Sequence, residues 1–121
     1  MVLSLLLFAS VINEPLPALP SETILKITAY QDCVVAKAKE LEPAKESVEE
    51  TVKIATLACK SLKRLAAGEI VQIYRASSGS NYEAIVRLGM KFQQIDDEAQ
   101  GMAKFAVAKE RARVNSYAPN Q

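Results

Sequence analysis

Apolar residues recur along most of this chain at intervals of three and four, the period of a helix with one buried face. They fall in blocks separated by breaker residues. The first block begins at Ser21 or Thr23, directly after Pro20. It carries Ile24, Ile27, Tyr30, Val34 and Leu41 on one side with Cys33 beside them, while Lys26, Lys37, Lys39 and Glu40 lie largely on the other. Pro43 crowds the residue before it and disfavours helix at Glu42, so this helix is expected to end near Leu41.

The second block opens on Ser47-x-x-Glu50, a capping box in which the serine oxygen accepts from the amide three residues on. Glu46, Glu49 and Glu50 add negative charge at the positive end of the helix dipole. Val48, Val52, Ala55, Cys59, Leu62 and Ala66 repeat four, three, four, three, four, and Lys60, Lys63 and Arg64 fall in the last turns. Gly68 is the natural C-cap. The residues from Glu69 to Arg75 read as a further helical run bent at Gly68, with a short strand as the alternative because Ile70, Val71 and Ile73 are β-branched.

Ser77-Ser78-Gly79 reads as a turn, and Ser80-x-x-Glu83 is a second capping box. The longest helix follows, to about Val114. Ile85, Leu88, Phe92, Ile95, Ala99, Met102 and Ala106 repeat three, four, three, four, three, four, a heptad seam of about three heptads. The expected fold is therefore all-α: a helical hairpin packed against a long C-terminal helix in a three- to four-helix bundle. It occupies residues 21–115, with a polar, disordered tail over 116–121.

Residues 1–20 stand apart. Val2 to Ile12 are apolar except for Ser4 and Ser10, too few to span a bilayer but the length of a signal-peptide core. Pro15, Pro17 and Pro20 follow. Against that reading, no Lys or Arg precedes the apolar run, and the small-residue cleavage patterns around Ala9 and Ala18 are poor. The alternatives are an N-terminal extension, disordered or packed, and an uncleaved membrane anchor.

Cys33 and Cys59 are the two cysteines of the chain. With the first helix ending near Leu41 and the second starting near Val48, an antiparallel hairpin brings them within about 4–5 Å of the same level at 1.5 Å per residue. Small neighbours (Ala29, Ala36, Ala55, Ala58) permit close packing, and a disulfide across the hairpin is the expected outcome. It points to an oxidising compartment, periplasmic or secreted. Two free buried thiols are the alternative. A redox switch is a third reading, but there is no Cys-x-x-Cys pair and neither thiol sits at a helix N-terminus.

Composition narrows the chemistry. Fifteen basic and fourteen acidic residues give a net charge of +1, without the basic excess of a nucleic-acid binder. The absence of histidine removes Ser-His-Asp and Cys-His catalysis and Glu-x-x-His di-iron ligation. Neither a phosphate-binding glycine loop nor a Gly-x-Ser-x-Gly elbow occurs. Asp96-Asp97-Glu98 could suggest a metal, but consecutive helical residues diverge by about 100°, and a solvated helix face is the reading adopted. Lys104, Lys109, Arg111 and Arg113 could touch phosphate or anionic lipid, and more simply serve the C-terminal end of the last helix. An enzyme is not expected, and no cofactor or metal.

Tyr30-x-x-Cys33, the Ala-rich helical stretch after it and Cys59 on a second Ala-rich helix resemble a group of small exported bacterial proteins. In those, a signal peptide precedes two helices joined by one cysteine pair, and most have no assigned function. The resemblance covers residues 21–66 and implies export and the staple; it carries over no functional residue. The expected function is a non-catalytic exported bundle acting through protein contacts, the alternative a membrane-anchored accessory protein. Ile85, Leu88, Phe92, Ile95 and Met102 are the candidate seam, expected to pack on the hairpin in a monomer and otherwise to meet a partner or second copy.

Overall fold

A computed structural model describes residues 17–42 and 46–117, with side chains to Asn115; residues 1–16, which hold the apolar run Val2–Ile12, residues 43–45 and residues 118–121 lie outside them. Four helices follow one another: α1 Ser21–Leu41, α2 Val48–Ala58, α3 Lys60–Ser77 and α4 Asn81–Tyr117. No strand occurs among the described residues, so the segment after Gly68 is helical.

The helix starts lie where the local signals put them. Pro20 precedes α1 in extended geometry and its carbonyl accepts from Ile24 N–H. Ser47 Oγ accepts from Glu50 N–H at 3.1 Å, and Ser80 Oγ accepts from Glu83 N–H at 3.1 Å. Glu83 also reaches back to Gly79 N–H at 2.9 Å.

Two boundaries differ from the sequence reading. Gly68 is not a C-cap; it lies inside α3 with no positive φ, and the helix continues to Ser77. The interruption comes earlier, at Cys59, where φ −100° and ψ 12° separate α2 from α3. Thr56 Oγ1 donates to Val52 C=O at 2.9 Å one turn before it, a back-bond that bends helices, and the disulfide holds the same residue from the other side.

Cross-helix bonds define the topology. Thr23 and Lys26 meet Glu69, and Cys33 meets Cys59, so α1 runs antiparallel to α2–α3. Tyr30 meets Asp96 and Glu42 meets Arg111, so α4 runs parallel to α1. The result is an up-down-up bundle whose middle rod is broken at Cys59. The 37 residues of α4 extend for about 55 Å. With Thr23 level with Glu69, the end of α3 and the start of α4 project past α1 as a two-helix tip.

The core is built of Tyr30, Val34, Val52, Ile70, Tyr74 and Val107 with alanines between them. Ala38, Ala55, Ala99 and Ala103 are wholly buried, which lets the helix axes approach closely. On α4 the inward positions are Ala84, Leu88, Phe92, Ile95, Ala99, Ala103 and Val107. That spacing is four, four, three, four, four, four. A heptad seam needs a period of 3.5, whereas this stripe has a longer one, close to an eleven-residue repeat. The shift removes Ile85 and Met102 from the seam and puts Ala84 and Ala103 in their places.

Candidate functional site

The staple is the most defined feature. Cys33 Cα and Cys59 Cα are 6.0 Å apart, joined through their sulfurs, and both cysteines of the chain are used. Cys59 is buried, Cys33 is half-buried, and the bond lies between α1 and the α2–α3 junction; Cys59 thus occupies the N-cap of α3, against the expectation that neither cysteine lies at a helix N-terminus.

Next to it, polar side chains tie the three rods together. Asp96 accepts from Tyr30 Oη at 2.7 Å and from Lys63 Nζ at 2.6 Å, taking one bond from α1 and one from α3. Burial, and then the bond to Asp96, push the Tyr30 phenol well above its ordinary pKa. Gln31 donates to Ile95 C=O at 3.3 Å and to Glu98 at 3.2 Å. The acidic run Asp96-Asp97-Glu98 thus splits three ways: Asp96 toward Tyr30 and Lys63, Glu98 toward Gln31, and Asp97 outward. The solvated-face reading therefore fails for Asp96, which the sequence did not mark as a link between helices. Near the start of α1, the bonds from Lys26 and then Thr23 hold the Glu69 carboxyl below the usual carboxylate range.

At the tip, Tyr74 is fully buried and the Arg87 guanidinium lies 5.9 Å from the centre of its ring. Burial raises the Tyr74 pKa, with the nearby Arg87 charge opposing it. Arg87 also pairs with Glu83, so both charges in the first two turns of α4 turn away from its outer face. The basic cluster is largely committed too: Arg111 bonds Glu42 and the Glu46 carbonyl, and Arg113 pairs with Glu110. Lys104 and Lys109 remain exposed.

The candidate seam divides. Leu88 and Ile95 are 8% and 5% exposed, and Phe92 packs against the core, so these three face the hairpin. Ile85 and Met102 are 67% and 44% exposed and point to solvent. Ile85 belongs instead to an outer face of α4 that the heptad reading missed, formed with Tyr82 (75% exposed), Val86 and Met90. These four positions, with Gly89 among them, fall within about 140° of the helix circumference. None of these five α4 residues is charged, Arg75 of α3 lines a shallow hollow together with Asn81 and Ile85, and a Cβ added at Gly89 would meet nothing within 4 Å.

The grooves between helices are shallow. One of about 350 Å³ between α2 and α4 is lined by Glu49, Val52, Lys53, Thr56, Leu57, Gln100 and Lys104. The Glu49 carboxylate shares this groove with Lys53, Gln100 and Lys104. No cluster of three or more Cys, Asp or Glu among the described residues is arranged to hold a metal ion, and no described helix is long and apolar enough to cross a membrane. What this geometry offers chemically is a rigid frame with an exposed apolar face at one end. No protein-family model, curated protein or solved structure matches the chain.

Proposed function

We propose that this chain is a non-catalytic exported protein, periplasmic or secreted, whose stapled bundle acts by contact with other proteins. The observation that carries the reading is the Cys33–Cys59 bond, because structural disulfides form and persist in oxidising compartments and are rare where thiols are kept reduced. The apolar run Val2–Ile12 then serves as the leader, and the resemblance of residues 21–66 to small exported two-cysteine proteins supports the same assignment. The best-placed polar groups (Tyr30, Lys63, Asp96, Gln31, Glu98) are engaged in tying helices together. That favours a frame for contacts over a reaction centre.

The experiment combines thiol trapping with N-terminal sequencing on protein recovered from its native host. The reading expects no alkylatable thiol before reduction, two after it, and an N-terminus that has lost Val2–Ile12. Two free thiols would reject export. An intact Met1 in the membrane fraction would replace the leading reading with that of an anchored accessory protein.

A further inference from the structure

We propose that the outward face of the bent α2–α3 rod lies against an anionic lipid surface, with Ile54, Leu57 and Leu65 entering the headgroup layer and Lys53, Lys60 and Arg64 meeting lipid phosphates. This goes beyond contact with other proteins, and it rests on side chains of the bundle rather than on residues 1–16.

Burial fixes which side of the rod faces out. Val52, Ala55, Cys59, Ala66 and Ile70 are all turned to the core, so the inward stripe continues through the break at Cys59 and the outward side is continuous as well. On that side Ile54, Leu57 and Leu65 are 44%, 62% and 60% exposed. Lys53, Lys60 and Arg64 are exposed with them. From Ile54 to Leu65 the stretch covers about 17 Å at 1.5 Å per residue.

The second observation is charge. Between Glu50 and Glu69 the basic residues are Lys53, Lys60, Lys63 and Arg64, and no acidic residue occurs. Lys63 is turned inward to Asp96, whereas Lys53, Lys60 and Arg64 take part in no ion pair among the described residues. The basic end of α4 differs, because Arg111 and Arg113 are held there by Glu42 and Glu110. In the groove beside the face, Lys104 of α4 offsets the charge of Glu49 next to Lys53. Glu50 is exposed at the N-terminal margin, one turn before Ile54, and Glu69 at the other end is taken by Lys26 and Thr23. The positive charge of the face is therefore unopposed along its length.

Apolar and cationic side chains interleaved on one open helix face are the composition of an interfacial helix. The aliphatic groups enter the acyl boundary, while Lys and Arg lay their stems along it and keep their charges at the phosphates. A lipid surface offers both partners at every point, whereas an acidic polypeptide would need carboxylates and apolar groups in register with this pattern. The hollow bordering the face is lined by Glu49, Lys53 and Lys104 as well as Leu57, and so lacks the desolvated apolar pocket that anchors a protein partner. Each Lys or Arg at an anionic surface strengthens binding by about fivefold, so three supply a preference of about a hundredfold for anionic over neutral lipid.

Co-sedimentation with vesicles tests this on the protein recovered from its host, with intact mass fixing which residues it retains. One set of vesicles is equimolar phosphatidylglycerol and phosphatidylcholine, the other phosphatidylcholine alone. The wild type should bind the anionic set about a hundredfold more tightly, and lose most of that preference at about 1 M salt, where charges are screened beyond about 3 Å. The triple variant Lys53→Gln, Lys60→Gln, Arg64→Gln should lose the preference. Leu57→Ser with Leu65→Ser should weaken binding by about tenfold. Both variants should leave the circular dichroism melt unchanged, since every altered side chain is exposed. Equal binding to the two sets, or none to the anionic one, overturns the proposal. So does a preference that survives in the triple variant, which would assign it to another face or to residues 1–16. Binding indifferent to the two serines would show attraction by charge alone and overturn entry of this face into the headgroup layer. Release from the vesicles by soluble polyglutamate at equal charge would assign the face to an acidic polypeptide and overturn the lipid. The thiol and N-terminal results decide export separately, so a protein with an oxidised pair and a lost leader that ignores vesicles would retain the proposed function and remove the lipid contact.

Discussion

Reducing the Cys33–Cys59 bond is the sharpest perturbation available, because it changes two atoms and leaves every packing contact in place. The bond closes a loop across a sequence separation of 26. Opening it frees the unfolded chain, and the loop-closure relation assigns about 3.5 kcal/mol to a loop of this length at 25 °C. Against a total stability of about 5–15 kcal/mol for a small domain, that is a major share. The site adds a local effect: the reduced thiol of Cys59 stays buried at the α2–α3 break, where it behaves as a small hydrophobe and costs little. Urea unfolding of oxidised and reduced protein, followed by circular dichroism, should give a difference of about 3–4 kcal/mol. The reduced form should also show a slightly steeper dependence on urea, because its unfolded state is more expanded. A difference under about 1 kcal/mol would refute the entropic reasoning. A two-step transition in the reduced form alone would show instead that the bond holds α2 to the bundle.

Other outcomes follow from the helix boundaries and buried groups. Gly68→Ala should stabilise the protein by about 0.5–1 kcal/mol, because Gly68 is mid-helix and an added Cβ meets nothing within 4 Å; a C-cap glycine in the left-handed region would give the opposite sign in the same thermal melt. Ser47→Ala and Ser80→Ala should each cost about 0.5–2 kcal/mol through loss of the N-cap acceptor, and no change at either would contradict the cap geometry. The phenols of Tyr30 and Tyr74 hold their protons above the ordinary value of 10.0 when folded, so the unfolded chain gives them up first. Their contribution is full below pH 10 and declines as pH rises towards the folded pKa, by at most about 1.4 kcal/mol per pH unit per tyrosine. Urea midpoints from pH 9 to 11.5 should fall more gently in Tyr30→Phe than in the wild type.

What was legible in the sequence was what is encoded locally. Ser47 and Ser80 start their helices because the bond each makes is to an amide three residues away, and α1 stops at Leu41 ahead of Pro43. The cysteine pairing was legible too, since two helix boundaries and a rise per residue are enough to place Cys33 opposite Cys59. The misread positions depend on other helices. Gly68 resembles a cap, yet Ile70 and Tyr74 beyond it are drawn into the core, and the helix continues to deliver them. The break at Cys59 reflects Thr56 and the staple, and no glycine or proline marks it. Asp96 looks like part of a solvated acidic run until Tyr30 and Lys63 arrive from other rods. On α4, a reading weighted towards large side chains chose Ile85 and Met102, while close packing buried Ala84 and Ala103. The surplus Ile85 then marks the outer face.

Those alanines also determine which kinds of change the protein can absorb. In a core filled by leucine and phenylalanine, damage comes mainly from lost volume. Here Ala38, Ala55, Ala99 and Ala103 have no exposed surface at all and sit where helices press together, so damage comes from added volume. Ala103→Leu should force the rods apart and cost about 1–3 kcal/mol, although it raises hydrophobicity and helix propensity is nearly unchanged. Single-nucleotide changes at an alanine codon yield mostly larger or charged residues, so this seam has few neutral neighbours in sequence space. Among the residues that hold the fold together, drift should be slowest at these smallest buried side chains.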